Sequence, residues 1–268
     1  MPTVATNGIN LYYELHGSGE PLVLIAGLGY DGWMWHKMIM GLAEQFQVIS
    51  FDNRGVGQSD KPAGPYTAHM LAADTLGMLD AFSIDKAHIV GHSMGGFIAQ
   101  AIAVEHPERV DKLVLSATNF GGPRHVPITP EAMAVLTDLS GDPIERLRRG
   151  IAISCAPGFA EKNPQLIEEW VGYRVQHPID PVGYQAQLAI GLSLIPEAAS
   201  FEHQLSAVRA PALILFGEQD KVVPPGNAEL LAARIPDSRI AILPNAGHFF
   251  PFEVPDEANR VITQFLKG

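Results

Sequence analysis

The sequence predicts an α/β fold: a doubly wound, mostly parallel sheet of eight strands with a helical cap inserted late in the chain. Three observations predict it. Apolar runs of strand length alternate with segments of helical spacing across short connections, the pattern of a parallel sheet covered on both faces. Most of these runs are continuous rather than alternating, as expected for strands buried on both sides. Positions 118–210 carry helical patterns only, and that span is too long for a structureless loop.

The elements follow in order. Asn7-Gly8 is a hairpin signal that joins 3–6 to a run in which Ile9, Leu11 and Tyr13 alternate with Asn10, Tyr12 and Glu14, a half-buried antiparallel strand. Residues 21–26 and 47–51 read as buried parallel strands. Between them 33–45 has helical spacing, with Trp35, Met38, Ile39 and Leu42 on one side. Residues 67–82 read as a helix and 87–90 as a strand. The helix over 96–104 is apolar nearly all round, which suits a helix packed centrally on the sheet. Strands at 112–117, 211–217 and 239–243 and a final helix from about 255 to 266 complete the sheet domain. In the interval between, 130–139, 143–153, 164–175, 181–194 and 197–208 each read as a helix, several with proline in the first turn. The expected division is a core of 1–118 and 209–268 and a cap of 119–208.

Composition narrows the function classes. The chain has 268 residues, 47% of them hydrophobic, enough for one large α/β domain with an inserted subdomain. The formal net charge is −11 and the longest basic stretch is the short one at 146–149, a solvated helix face, so nucleic-acid binding is not expected. The lone cysteine, Cys155, follows the apolar 151–153 and reads as a buried structural thiol rather than a reactive one. Met1-Pro2-Thr3-Val4 lacks the basic region and apolar run of a secretory signal, and the longest apolar tract, 98–104, is too short to span a bilayer. A soluble, cytoplasmic protein without membrane partners is expected.

The most informative stretch is Gly91-His92-Ser93-Met94-Gly95, where a predicted strand gives way to a predicted helix. G-x-S-x-G in that context is a nucleophile elbow, whose sharp turn strains the serine backbone and lifts its hydroxyl clear of the sheet. A serine hydroxyl is a poor nucleophile; it needs a histidine base, and the histidine needs a carboxylate to orient it. Asp220 follows the strand at 211–217, and His248 follows the strand at 239–243 after the flexible Ala246-Gly247. Glu218 is the competing carboxylate, nearer the strand end. His92, inside the elbow, is a packing or hydrogen-bonding residue in this reading, pointing away from the serine.

With these motifs in place the chain resembles an α/β-hydrolase fold protein, close in motif to small bacterial carboxylesterases, 3-oxoadipate enol-lactonase-like hydrolases and cofactor-free haloperoxidases. The resemblance runs from about Ile9 to Leu266 through Gly27-Leu28-Gly29, Asp52-Asn53-Arg54-Gly55-Val56-Gly57-Gln58-Ser59, the elbow, the Asp220 loop and the His248 loop. It implies Ser93 as nucleophile, His248 as base, Asp220 as the orienting acid, and the backbone N–H groups of Leu28 and Met94 as the oxyanion hole. Relatives usually carry His-Gly where Ala26-Gly27 stands here, which removes a group that would tie down the oxyanion loop. The segment 52–59 reads as structural.

Serine at the elbow implies acyl transfer from an ester, lactone, thioester or activated amide to water, without a cofactor. No lysine-bearing phosphate loop is present, and no His, Cys and carboxylate group has metal-ligand spacing. Candidate pocket residues are Tyr30, Trp33, Phe120 and Phe249 on loops and Trp170, Leu188 and Leu192 in the cap, with ordinary core packing as the alternative for each. The expected substrate is a small apolar ester or lactone. Two other readings stand beside it: perhydrolase or haloperoxidase activity, with peroxide in place of water, and a ligand-binding receptor with negligible turnover.

Overall fold

The structure is a computed structural model and describes residues 1–138 and 140–268. Its strands are β1 (Thr3–Thr6), β2 (Ile9–His16), β3 (Glu20–Ile25), β4 (Phe46–Phe51), β5 (Ala87–His92), β6 (Val110–Ser116), β7 (Ala212–Gly217) and β8 (Ser238–Leu243). They form one eight-stranded sheet in the order β1-β2-β4-β3-β5-β6-β7-β8. The β1–β2 and β2–β4 pairs are antiparallel and the rest are parallel. Strand order reverses between β3 and β5, so the loops leaving their C-terminal ends diverge and open a crevice there.

The helices are α1 (Ile39–Ala43), α2 (Ala68–Ala81), α3 (Met94–Glu105), α4 (Pro130–Thr137), α5 (Pro143–Ser154), α6 (Phe159–Lys162), α7 (Pro164–Gln176), α8 (Pro181–Ser193), α9 (Gly226–Ala232), α10 (Phe250–Glu253) and α11 (Pro255–Lys267). Helices α2 and α3 cover one face of the sheet through Leu71, Leu79, Ile98 and Ile102 against Ile25, Ile89 and Leu113. On the other face Trp35, Met38, Ile262 and Leu266 pack on Leu24, Val90 and Leu215. Helices α4 to α8 all leave the sheet between β6 and β7. Each of α4, α5, α7 and α8 starts on a proline, which lacks the N–H that a first turn leaves unsatisfied.

Two expectations required correction. The helix expected over 33–45 is a tight turn at Gly32–Trp35 followed by the short α1. Asp52 accepts the Gly32 N–H at 2.8 Å and fixes the chain entering the turn, and Asn259 donates at 2.9 Å to the Met38 carbonyl, which also accepts the Leu42 N–H at 3.1 Å as α1 begins. The helix expected over 197–208 is two single turns, Glu197–Ala199 and Leu205–Ala207. Between them the Phe201 N–H is drawn to the Phe120 carbonyl at 2.9 Å, and the buried Glu202 carboxylate pairs with Arg124 and Arg234. Helix α9, after Pro224-Pro225, carried no periodic signal strong enough to be read. The last residue of the helix expected over 130–139 lies outside the described residues.

Candidate active site

The turn after β5 places Ser93 at φ 55°, ψ −118°, a backbone conformation that side chains other than glycine rarely adopt. Its surroundings hold it there. A Cβ at Gly91 would collide with the Gly95 carbonyl, and one at Gly95 with the Ile25 carbonyl. The Ser93 N–H donates to the Ser116 carbonyl at 2.9 Å and the Ser93 carbonyl accepts from the Thr118 hydroxyl at 2.8 Å, so β6 fixes the turn from beside it.

The loop after β8 carries His248 into the same cavity. Its Nδ1 lies 2.8 Å from Asp220 Oδ2, and both side chains are buried. A carboxylate there makes Nδ1 the protonated nitrogen and leaves Nε2 as the lone-pair site. The other Asp220 oxygen accepts from the Val222 and Val223 N–H groups, each at 2.8 Å, so the aspartate is held from two sides. Glu218 is elsewhere, accepting from the Asn245 N–H at 3.2 Å at the surface.

His92 is buried, with Nδ1 2.8 Å from the Ser116 hydroxyl, as a hydrogen-bonding residue should be. It is not turned wholly away: its ring centroid is 4.9 Å from that of His248 and it lines the cavity. Burial, helped by the charge of a protonated His248, holds its pKa well below the usual histidine value. It is therefore biased to the neutral form beside His248.

Leu28 and Met94 flank Ser93 on the cavity wall. Among the described residues neither amide N–H has a hydrogen-bond acceptor, and Met94 is the first residue of α3, where an N–H has no partner in its own helix. The pair can serve a developing oxyanion.

Two chambers meet at Ser93 and Leu28. The larger, about 270 Å³, is walled by Tyr30, Met34, Leu147, Ile151, Tyr184 and Phe249. The smaller, about 150 Å³, is walled by Phe97, Asn119, Gln187, Leu188, Gly191 and Val223. Of the predicted pocket residues, Tyr30, Phe249 and Leu188 line these chambers. Four do not. Phe120 is fully buried in the core beneath the Arg234 guanidinium, 4.5 Å from its ring centre. Trp170 sits one layer back, its ring 4.4 Å from that of Phe249. Leu192 is exposed on the outer face of α8. Trp33 stacks between His36 and Tyr173 in a separate cleft of about 820 Å³, which contains neither Ser93 nor His248.

Two residues that sequence reasoning passed over touch the site's loops. Gln187 bonds to the Gly29 N–H at 2.9 Å. Glu253, in α10, accepts the Gly247 N–H at 3.0 Å and the Ala156 N–H at 2.6 Å. Neither stands in a local pattern that would mark it. Cys155 is buried, and burial pushes its thiol far above the usual range. At the opposite end of the sheet Glu20, His88 and Asp111 come close enough to hold a cation, a grouping invisible in sequence spacing. His88 turns Nε2 to Glu20 at 3.7 Å and Nδ1 to Asp111 at 3.4 Å, so the two carboxylates lie against opposite ring nitrogens rather than around one point.

The comparisons agree with this architecture. The profile of the alpha/beta hydrolase fold matches residues 20–255. A 2-hydroxy-6-oxononadienedioate/2-hydroxy-6-oxononatrienedioate hydrolase of Burkholderia vietnamiensis is 31% identical over 97% of this chain and 91% of its own. The enol-lactonase of Burkholderia xenovorans superposes with a TM-score of 0.83 at 28% identity, covering 100% of both chains. A thermophilic esterase of Thermogutta terrifontis gives 0.78 at 31% identity, over 99% of this chain and 96% of that one. With an elbow, an eight-stranded sheet and a match across nearly its whole length, the chain belongs to the alpha/beta hydrolase fold family.

Proposed function

We propose that the protein is a serine hydrolase that cleaves small, uncharged carboxylic esters and lactones through an acyl-enzyme on Ser93. The observation that supports this most is the convergence of Ser93 and the Asp220-held His248 on one cavity, beside two amides free to bind an oxyanion. In this reading Ser93 Oγ attacks the acyl carbon while His248 Nε2 takes its proton. The imidazolium is stabilised by Asp220, and the carbonyl oxygen, now an anion, is held by the Leu28 and Met94 N–H groups. Collapse breaks the acyl–oxygen bond and His248 returns the proton to the leaving alkoxide. Water repeats the sequence, freeing the acid.

The character of the chambers supports an uncharged substrate. Among the described residues neither chamber is lined by lysine or arginine. A carboxylate-bearing substrate, such as the dioate named for the Burkholderia vietnamiensis relative, would lose its hydration there without a cation to replace it. The helices between β6 and β7 act in this proposal as a cap, with α5 and α8 supplying chamber walls through Leu147, Ile151, Tyr184 and Leu188.

The test is a panel of p-nitrophenyl esters and neutral lactones, set beside half-esters of dicarboxylic acids of matched length. Neutral substrates should turn over at least tenfold better in kcat/KM, and Ser93→Ala should abolish turnover and labelling by a fluorophosphonate while the circular dichroism is unchanged. Turnover retained in Ser93→Ala would sink the mechanism, and equal use of anionic half-esters would sink the substrate class. Peracid formation from acetate and peroxide, read in parallel, separates perhydrolysis from hydrolysis.

A further inference from the structure

Resting on that hydrolase reading, we propose that Gln187 is a positioning residue: the insertion, through this one buried amide, holds the oxyanion loop in its working shape. The oxyanion loop is held from within and from without. Within the loop the Tyr30 N–H donates to the Gly27 carbonyl at 3.2 Å, and Gly29 takes φ +72°. That local turn holds the peptide bearing the Leu28 N–H. The next peptide is held from outside, where the Gly29 N–H donates to Gln187 Oε1 at 2.9 Å.

Gln187 is fully buried on α8, and its other end is equally committed. Nε2 donates to the Arg54 carbonyl at 2.8 Å. One partner can only donate and the other can only accept, so the amide has a single orientation. The Arg54 carbonyl is itself fixed, because the Arg54 guanidinium is buried in an ion pair with Asp74. The backbones come too close for slack. A side chain at Gly183 of α8 would collide with the Gly55 carbonyl, and one at Gly29 would press on the Tyr184 ring at 3.0 Å. A chain of fixed contacts therefore runs from the 52–59 segment through Gln187 to Leu28. That gives the segment read from sequence as purely structural a part in shaping the site.

The decisive variant is Gln187→Met, close in volume but without an acceptor for Gly29. Losing an oxyanion donor costs about a hundredfold or more in kcat, and a loosened donor should cost roughly tenfold to a hundredfold. Expected results are that loss in kcat with KM within about threefold, and a matching loss in affinity for an alkyl boronic acid, whose tetrahedral adduct on Ser93 uses the same amides. Binding of a non-reacting amide analogue confined to the larger chamber, which Gln187 does not line, should be unchanged. Hydrogen exchange over 27–30 should accelerate, a readout that needs no turnover. Should Gln187→Met fail to fold, Gln187→Asn, which keeps the amide but is one methylene too short to span Gly29 and Arg54, carries the same measurements. Unchanged exchange and boronate affinity in a folded variant overturn the proposal. So does an equal loss of analogue and boronate binding, which would reduce Gln187 to general packing of the chambers with no specific hold on the oxyanion loop. A wild-type protein without turnover or Ser93 labelling would refute the hydrolase reading instead, and the exchange measurement would still decide the role of Gln187.

Discussion

Glu253→Gln probes how the His248 loop is held, and the structure gives both the sign and the size of its effect. The Glu253 carboxylate bridges two amides on different oxygens, Gly247 on Oε1 and Ala156 on Oε2. Burial pushes its pKa from 4.5 up to about 7; the Ala156 and Gly247 amides pull it down less, Asp220 pushes it further up, and His248 opposes. A rise from 4.5 to about 7 corresponds to about 3 kcal/mol in favour of the protonated side chain in the folded state. The unfolded chain releases this proton near 4.5 and the folded chain holds it to near 7. The stabilising contribution is therefore whole below 4.5 and is lost as pH rises through 7. Glutamine has no proton to lose. Between pH 4.5 and 8 the stability of Glu253→Gln should thus improve relative to wild type by up to about 3 kcal/mol, on the order of 6–10 °C in melting temperature for a chain of this size. Paired thermal unfolding curves at several pH values in that range measure it. A pH-independent difference, or one that moves in favour of wild type as pH rises, would refute the reasoning that burial dominates this carboxyl. Activity gives a second handle: one amide of the bridge loses its acceptor, so kcat should fall several-fold across the range.

Two further outcomes follow from the site. Asp220→Asn should lower kcat by about three to four orders of magnitude while Glu218→Gln stays within about twofold, measured by ester hydrolysis; the reverse ranking would mean the wrong carboxylate has been assigned. Leu147→Trp fills the larger chamber and should shift preference towards shorter acyl chains by tenfold or more, whereas Leu192→Ala on the exposed face of α8 should leave the chain-length profile as it is.

The parts of the molecule that could be read ahead share a physical trait: their cause is local. Strands β3, β5, β6 and β7 are buried on both faces along most of their length, so each carries an apolar run, at 22–25, 89–91, 113–115 and 212–216. The elbow declares itself because its backbone needs glycine at fixed offsets from Ser93. The misread pieces have distant causes. The stretch expected as a helix over 33–45 is tied to Asp52 at Gly32 and to Asn259 at Met38. The stretch over 197–208 is shaped by Arg124 and Arg234 reaching in to Glu202. Aromatic residues misled for a related reason. Trp170, Trp33 and Phe120 are apolar enough for a pocket, but periodicity places a residue on a helix face without saying whether a cavity or another layer lies beyond it.

A core bearing Ser93, Asp220 and His248 beneath an insertion that walls the chambers invites a clean division, with the sheet domain supplying the chemistry and the cap supplying selectivity. The hydrogen bonds argue against it. The His248 and Phe249 N–H groups donate to the Ser154 carbonyl, at 2.8 Å and 3.2 Å, at the C-terminal end of α5. Ala156, two residues on, shares Glu253 with Gly247. A side chain at Gly247 would run into the Cys155–Ala156 backbone. At the other side of the cavity Gln187 of α8 holds Gly29. The two loops that would bear the base and one oxyanion donor are thus anchored in the insertion as well as in the sheet domain, where Gln219 and Glu253 hold the Ala246-Gly247 stretch. A change in α5 or α8 that resizes a chamber also displaces an anchor, and a displacement of about 1 Å is enough to cost a hundredfold in rate. Selectivity and rate should therefore vary together when residues near Ser154 or Gln187 are altered, and separately when the change is confined to side chains such as Leu147 that touch a chamber but carry no hydrogen bond to either loop.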